Sequence, residues 1–287
     1  MAATDPSTDR GARNAATSGA RDAATSGARD AATSGARTIA VTSGKGGVGK
    51  TFMSANLAAA LAERGQRVLV LDADLGLANL DVVLNLPPTT TLHDVFTGQA
   101  ELEAAVLPAP GGFSVLLAGS GLVEYSHLSS DVRAQLLDIV AQMKPRFDVI
   151  LLDTGAGISD VVLFAVAMAD EVLLVATPDP TSITDAYATI KVLATQQGRR
   201  TIQLVVNQVG RVGAGRGICT QLQQVLDRFV SPLLTAPAGG VKLELVGEVP
   251  NDVAVREAIL KRQLLLETAP GSAASVAIGR LADRLLA

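Results

Sequence analysis

Gly44-Lys45-Gly46-Gly47-Val48-Gly49-Lys50-Thr51 is the stretch from which the fold of this chain can be predicted. It fits the pattern G-x-x-x-x-G-K-[ST], and it lies between an apolar run and a segment of helical periodicity. Glycines in such a loop let successive backbone N–H groups curl around a phosphate, and the following helix adds partial positive charge at its N-terminus. We therefore predict that the segment Gly44 to Phe52 binds ATP, with Lys50 at the β- and γ-phosphates and the Thr51 hydroxyl on Mg²⁺.

Short apolar runs alternate with helix-period segments from Thr38 onward. The near-continuous Val, Ile and Leu content of the runs is typical of strands that are buried on both faces. We predict strands at Thr38 to Ser43, Arg67 to Asp72, Phe113 to Ala118, Phe147 to Asp153, Glu171 to Thr177, Thr201 to Asn207 and Leu243 to Gly247. Helical periodicity covers Met53 to Leu61, Val132 to Met143, Ile183 to Leu193 and Ile218 to Phe229. This alternation predicts an α/β domain at residues 38–287, with a mainly parallel sheet of seven to eight strands and helices on both faces.

Residues 1–37 form a tail of different composition. Arg13, Arg21, Arg29 and Arg37 mark units that read Arg-(Asn/Asp)-Ala-Ala-Thr-Ser-Gly-Ala. Small and polar residues cannot offset the entropy lost on ordering, and an eight-residue period matches neither a helix nor a coiled coil. We predict that this low-complexity octad-repeat tail is disordered.

Composition excludes several classes of protein. The chain has 287 residues, a net charge of −4 and one cysteine, Cys219. One cysteine excludes an intrachain disulfide, and the negative charge argues against a surface built for non-specific nucleic-acid binding. No apolar run approaches the roughly 20 residues of a membrane-spanning helix, and residues 1–37 lack the apolar region of a secretory signal. We therefore expect the protein in the cytoplasm.

Carboxylates stand at the ends of two predicted strands. Asp72 and Asp74 end the second strand, and Asp153 ends the run Val149 to Asp153. Because ligands of parallel sheets bind at the carboxyl ends of the strands, these side chains are expected beside the phosphates. Asp153 is predicted to hold Mg²⁺ through water, in the manner of a Walker B carboxylate. Asp72 either joins the metal site or only caps its strand.

Lys45 adds a second lysine that a generic phosphate-binding loop does not need. Lys-Gly-Gly-Val-Gly-Lys-Thr resembles the deviant Walker A motif of the MinD/ParA family of P-loop ATPases. The resemblance implies an ATP-dependent homodimer in which Lys45 reaches the partner's phosphates and stabilises charge in the transition state. It also implies slow, dimer-dependent hydrolysis of ATP with Mg²⁺ and a MinD-like fold.

The same resemblance implies roles for other residues. Asp74 would orient the attacking water, Asn79 would lie in the dimer contact, and Asp185 would lie near the dimer and partner surface. Thr154-Gly155-Ala156-Gly157 resembles switch II, whose glycine N–H can bind the γ-phosphate and release it after hydrolysis. Asn207, Pro250 and Asp252 match positions that contact adenine in the family, although Asn and Asp are also ordinary turn residues.

Several stretches are more similar to the flagellar-number regulators, the FlhG or FleN branch, than to MinD. They are the segment Asp72 to Asp81, the segment Asp153 to Ser159, and the segment Thr177 to Tyr187. This branch implies control of the number and placement of flagella, with a flagellar assembly or regulatory partner: an FlhF-type GTPase, a basal-body component or a transcription regulator. The Asp-Gln-Ala segment that stimulates the GTPase in relatives is not found in residues 1–37.

The C-terminal segment has an apolar stripe. Ile278, Leu281, Ala282 and Leu285 fall at i, i+3, i+4 and i+7. One net positive charge and no bulky aromatic side chain favour a helix that packs on the domain over one that binds the inner face of the membrane.

Three other functions compete with a flagellar switch. A division-site or DNA-partition ATPase shares the fold and the loop. An electron-donating reductase shares the deviant loop but needs cluster-binding cysteines in each subunit, whereas this chain has only Cys219. A non-hydrolysing scaffold would bind ATP for structure alone.

Overall fold

The computed structural model describes residues 35–76, 78–119, 128–234 and 239–287, so most of the predicted tail lies outside the described residues. The strands are β1 (Arg37–Ser43), β2 (Val68–Ala73), β3 (Val106–Pro108), β4 (Ser114–Leu116), β5 (Val149–Ala156), β6 (Glu171–Ala176), β7 (Thr201–Val209) and β8 (Lys242–Pro250). The helices are α1 (Lys50–Glu63), α2 (Leu80–Leu84), α3 (Leu92–Phe96), α4 (Leu102–Ala105), α5 (Ser130–Met143), α6 (Asp160–Ala167), α7 (Pro180–Gln196), α8 (Ala214–Phe229), α9 (Val253–Lys261), α10 (Leu265–Thr268) and α11 (Ala273–Leu286).

The strands form one eight-stranded sheet in the order β3-β4-β2-β5-β1-β6-β7-β8. All neighbours pair in parallel except β3, which runs antiparallel to β4. The predicted α/β fold and all seven predicted strands are confirmed. β3 was not predicted, because its three residues, Val106, Leu107 and Pro108, are too short to show a strand period.

Alternate residues of β1 face two separate cores. Ile39 and Val41 lie in the core that also holds α1, α10 and α11, whereas Ala40 lies in the core that holds α5, α6, α7 and α8. This period of two is what a strand buried on both faces requires. β1 begins at Arg37, and Ala36 is already buried, so the domain begins slightly before the predicted boundary.

α11 packs on the domain through its apolar stripe. Ile278, Leu281, Ala282 and Leu285 are buried against a core shared with α1. Arg64 of α1 holds the helix by donating to the Gly279 carbonyl at 2.8 Å and to Asp283 at 2.6 Å. The prediction of a packed C-terminal helix is therefore confirmed. Within the described ranges, no helix has the length and apolarity to cross a membrane.

The sheet brings the predicted site residues together at the carboxyl ends of its central strands. β1 leads into the glycine loop and α1. Asp72 of β2 and Asp153 of β5 are paired in register, so two acidic residues lie side by side near the ends of these strands. Three parallel strands thus end beside the loop, as expected for a ligand site in an open parallel sheet.

Candidate active site

The loop between β1 and α1 has the backbone shape of a phosphate cradle. Gly47 has a φ of 77° and Gly49 a φ of 95°, a left-handed conformation that costs side-chain-bearing residues about 1 kcal/mol or more. Gly49 directly precedes Lys50, the first residue of α1, so the loop opens the helix N-terminus toward a bound anion. The Val48 side chain is buried in the core that holds α1 and so fixes the loop to the domain.

Two glycines allow other elements to press on this loop. A Cβ at Gly44 would lie 2.2 Å from the backbone carbonyl of Asp185, so α7 touches the loop backbone directly. A Cβ at Gly49 would lie 2.7 Å from Nδ2 of Asn207, at the end of β7. The loop is therefore coupled to both α7 and β7.

Asp72 and Asp153 form a buried pair of carboxylates beside the loop. Burial is the main reason why the pKa of Asp153 is raised to about 6, and burial followed by the charge of Asp153 raises the pKa of Asp72 well above its ordinary value. Oδ2 of Asp72 is buried without a hydrogen-bond partner. Two adjacent buried acids with a free oxygen make an oxygen-rich site that a hard divalent cation would stabilise.

The Thr51 hydroxyl completes the donor set for such a cation. Both the Thr51 and the Ser54 side chains hydrogen-bond to Asp153, and the Ser54 hydroxyl donates to its Oδ1 at 2.8 Å. No cluster of three or more His, Cys, Asp or Glu side chains suited to a metal ion occurs in the described part of the chain. Thr51 with one or two carboxylates fits Mg²⁺, which keeps several waters and takes phosphate oxygens from its nucleotide. When bound there, Mg²⁺ would neutralise phosphate charge.

Lys50 is a buried cation in this site. Burial lowers its pKa, while the charges of Asp153 and Asp74 act in the opposite direction. A desolvated ammonium interacts strongly with phosphate oxygens, because little water screens it. The structure thus brings Lys50, Thr51, Asp72, Asp74 and Asp153 together, as the sequence predicts.

Asp74 lies against the segment predicted to be switch II. A Cβ at Gly155 would lie 3.3 Å from Oδ1 of Asp74, so this carboxylate covers the glycine. Gly157, with a φ of 87°, donates its N–H to the Ser43 carbonyl at 2.8 Å and ties the same segment to β1. A conformational change at Asp74 would therefore also affect the segment around Gly155, and the reverse.

Lys45 turns away from Lys50 toward the start of α7. Its Nζ lies 3.5 Å from Oδ2 of Asp179 and donates to Oγ1 of Thr181. Hydrogen bonds from Thr181, followed by the charge of Lys45, lower the pKa of Asp179. The Lys45 side chain remains half-exposed.

Asp179, Thr181 and Ser54 are site residues that the sequence analysis missed. Asp179 caps α7 by accepting the N–H of Thr181, and Pro180 follows it as the first helical residue. This Asp-Pro signal marks a helix start near the loop but does not indicate its ion pair with Lys45. Ser54 lies one turn after Thr51 on α1, a spacing that places both hydroxyls on one helix face.

The predicted base contacts have other partners in this structure. Asn207 donates its Nδ2 to the Val48 carbonyl at 2.8 Å and accepts the Gln208 N–H at 2.9 Å. Asp252 caps α9 through the Ala254 N–H and also accepts the Ala274 N–H of α11 at 3.1 Å. Pro250 ends β8. Adenine recognition by these three residues stays a prediction.

The predicted dimer contacts lie on separate elements of the structure. Asn79 is exposed and precedes α2, and Asp185 is half-buried on α7 against Gly44. Their contact with a second subunit stays a prediction.

Comparison with known proteins decides the family. A family model described as "ParA: NUBPL iron-transfer P-loop NTPase" matches residues 35–286. The chain belongs to the ParA family of P-loop NTPases. It is an ATP-hydrolysing enzyme of the ParA/MinD group, and ATP and Mg²⁺ are its cofactors.

Three relatives of this family illustrate the similarity. The chain is 44% identical to the antiactivator FleN of Pseudomonas aeruginosa over 86% of this chain and 85% of that protein. It is 32% identical to the flagellum site-determining protein YlxH of Helicobacter pylori, over 86% and 81% of the two chains. The septum site-determining protein MinD of Pyrococcus horikoshii, solved with Mg-ADP, matches with a TM-score of 0.68 at 29% identity, covering 87% of this chain and 96% of that one.

Proposed function

We propose that this chain is an ATP-driven dimerisation switch that limits how many flagella a bacterium builds and where it places them. The observation that carries the proposal is the 44% identity to the antiactivator FleN, which extends over 86% of this chain and 85% of that protein. The resemblance to the flagellum site-determining protein YlxH points to the same process.

The geometry supports a switch that reads the γ-phosphate. Asp74 and Gly155 touch: Asp74 directly follows β2, and Gly155 lies near the end of β5, the neighbouring strand. Loss of the γ-phosphate removes the ligand that would hold these segments together, and this is the usual origin of nucleotide-dependent change in such proteins. Asp74 orients the attacking water, and Lys50 stabilises the phosphates of its own subunit.

Dimerisation uses the rim of the site. Lys45 leaves Asp179 and reaches the phosphates of the second subunit, where its charge stabilises the transition state. Asn79 and Asp185 lie in the contact between subunits. Asn207, Pro250 and Asp252 border the base, and the amide of Asn207 retains one N–H and one lone pair for adenine.

The partner is a flagellar assembly or regulatory protein: an FlhF-type GTPase, a basal-body component or a transcription regulator. The protein acts in the cytoplasm.

Deletion and complementation in the source bacterium test this function. We expect deletion to increase the number of flagella per cell, and we expect wild type but not Lys45→Ala to restore it. Flagella are counted by electron microscopy, and cell division is followed in the same cells. Normal flagella together with minicells would instead favour the septum role that the structural similarity to MinD suggests.

A further inference from the structure

A groove follows the outer edge of the sheet, and no residue of the glycine loop lines it. β8 is the last strand, and its outer edge has no strand partner among the described residues. α8 borders this edge on one face of the sheet and α11 on the other. The groove between them has a volume of about 880 Å³, comparable to the pockets that hold ligands.

The floor and one rim of the groove are apolar. Leu245 and Val246 of β8 and Val276 and Ala277 of α11 line it, and Val212 stands at its end with 96% of its surface exposed. Single exposed valines are common on protein surfaces. A continuous apolar floor inside a concave groove is instead typical of a surface that receives another chain.

Positive charges outnumber negative ones in the lining of the groove, which holds three arginines, Arg216, Arg280 and Arg284, and two acids, Glu248 and Asp283. Both carboxylate oxygens of Glu248 accept backbone N–H groups, from Gly213 at 2.8 Å and Arg216 at 3.1 Å. The other lining acid, Asp283, is paired with Arg64 at 2.6 Å. The guanidinium groups of Arg216 and Arg280 are exposed and have no hydrogen-bond or ion-pair partner within the described residues. They are therefore available for bidentate pairing with carboxylates.

The edge of β8 also presents backbone acceptors. The pairing of β7 with β8 passes from Leu245 to Gly247 and leaves Val246 as a bulge. Nη1 of Arg284 donates to the carbonyls of Leu245 and Val246, each at 3.2 Å. An exposed arginine that covers an edge in this way protects it from unwanted pairing and can rotate aside for a specific partner.

We propose that this groove is a docking site for an extended segment of a partner protein that carries Asp or Glu between apolar residues. The open strand edge selects an extended backbone, the floor selects apolar side chains, and Arg216 and Arg280 select carboxylates. A second copy of this chain fits poorly, because a two-fold contact through β8 would bring the same arginines of both copies together. The proposal does not depend on the flagellar role.

A peptide selection on the full chain tests the site. A random dodecapeptide phage library is selected on the protein, and the most enriched sequence is synthesised as a fluorescent peptide. We expect enriched peptides to combine Asp or Glu with apolar residues and to slow hydrogen exchange of the β8 amides. We expect the double variant Arg216→Glu, Arg280→Glu to bind the peptide at least about tenfold more weakly, as for loss of close charge pairs.

Arg228→Glu is the matched control. Arg228 is exposed near the C-terminal end of α8, the helix that also carries Arg216. It lies against the ring of Phe229 and does not line the groove. This variant should bind the peptide as wild type does, and all variants should keep wild-type ATP turnover, which shows that they fold. The proposal is overturned if no peptide is enriched, if the peptides lack acidic residues, if β8 is not protected, or if the double variant binds equally.

Two other occupants would also overturn it. Sedimentation that shows a nucleotide-independent dimer lost on charge reversal would assign the groove to a second copy. Binding of a fluorescent single-stranded oligonucleotide, lost in the same double variant, would assign it to nucleic acid.

Discussion

Asn207 supports the phosphate-binding loop with both ends of its side-chain amide. Its Nδ2 donates to the carbonyl of Val48, and its Oδ1 accepts the N–H of Gln208, which lies in β7 with a φ of 59°. We expect Asn207→Ala to lower the free energy of unfolding of the nucleotide-free protein by about 1 to 3 kcal/mol, because it leaves a buried carbonyl unsatisfied. Urea denaturation measures this change.

The matched control for Asn207 is Asn251→Ala, since the Asn251 side chain is exposed at the neighbouring strand end. It should leave the free energy of unfolding unchanged. An Asn207→Ala protein as stable as wild type without nucleotide, but weaker in ADP binding, would show that the amide reads the base and does not support the loop.

Asp153 should make the empty protein less stable at high pH. Its pKa is raised to about 6, against about 3.9 in an unfolded chain, so between these values the folded state binds the proton more tightly. The free energy of unfolding therefore falls as pH rises from about 4 through 6. We expect Asp153→Asn to be more stable than wild type at pH 8 by about 1 to 3 kcal/mol and little changed at pH 4, without Mg²⁺ or nucleotide.

Asp148→Asn is the control for Asp153→Asn, because its effect on the free energy of unfolding should have the opposite sign. The hydrogen bond from Arg67 lowers the pKa of Asp148, so its contribution to stability is present at neutral pH and is lost in acid. Its replacement should destabilise the protein at pH 8 and have little effect at low pH. Urea denaturation at both pH values compares the variants. Equal effects of Asp153→Asn at pH 4 and pH 8 would contradict the assignment of the raised pKa.

Residues with a fixed motif spacing were predictable, and residues that meet through the fold were not. Lys50 and Thr51 belong to one loop, and Asp153 ends an apolar strand, so the local sequence already indicates their role. Asp179 contacts Lys45 across 134 positions of sequence. No periodicity or composition reports such a contact, because it depends on how α7 packs beside the loop.

At the scale of elements, the contact between α7 and the glycine loop couples two parts of the site. Gly44 lies under the backbone of Asp185, and a methyl group there would overlap the carbonyl. We expect Gly44→Ala to push α7 from the loop and to lower the free energy of unfolding by about 1 to 3 kcal/mol, the usual cost of overpacking. The variant should also lose affinity for ADP, measured by calorimetry.

Gly46→Ala is the matched control in the same loop. A Cβ at Gly46 would meet no atom within 4 Å, and the residue has no positive φ. Its thermal unfolding without nucleotide should match that of wild type. Equal destabilisation by the two substitutions would mean that loop flexibility, and not the contact with α7, controls stability.

The elements themselves were largely predictable, because their sequence periods are clear. Strands buried on both faces give continuous apolar runs, and α11 shows a stripe at helical spacing. The exceptions are short elements, because a segment of three to nine residues shows too little of its period. They are β3, α2, α3, α4, α6, α9 and α10. The groove along β8 could not be predicted either, because Arg216, Arg280 and β8 come together only when α8 and α11 pack on opposite faces of the sheet.

At the scale of the whole molecule, the question is whether each active site is built from one chain or from two. Lys45 lies at the rim and is held by Asp179, whereas Asp74 lies inside the site of its own chain against Gly155. If Lys45 acts on the partner's phosphates, a symmetric dimer has two sites, each with Asp74 from one subunit and Lys45 from the other. Lys45→Ala and Asp74→Ala should then each abolish turnover.

Mixing these two inactive variants distinguishes the arrangements. A mixed dimer contains one site with an intact Asp74 and an intact Lys45 from the partner, and one site with neither. An equimolar mixture should therefore recover about one quarter of the wild-type rate, because half of the dimers are mixed and each has one working site. Phosphate release is measured with each variant alone, with the mixture, and with a mixture of Lys45→Ala and Lys50→Ala.

The second mixture is informative because Lys50 serves the phosphates of its own subunit. The site of the Lys45→Ala subunit keeps its own Lys50 and receives Lys45 from the Lys50→Ala partner, so this pair should also recover activity, provided that the Lys50→Ala subunit still dimerises. Turnover that stays absent in the first mixture, while wild type depends on protein concentration, would place Lys45 in its own site. In that case the dimer would control ATP hydrolysis through the segments that meet at Asp74 and Gly155, and not through a lysine donated by the partner.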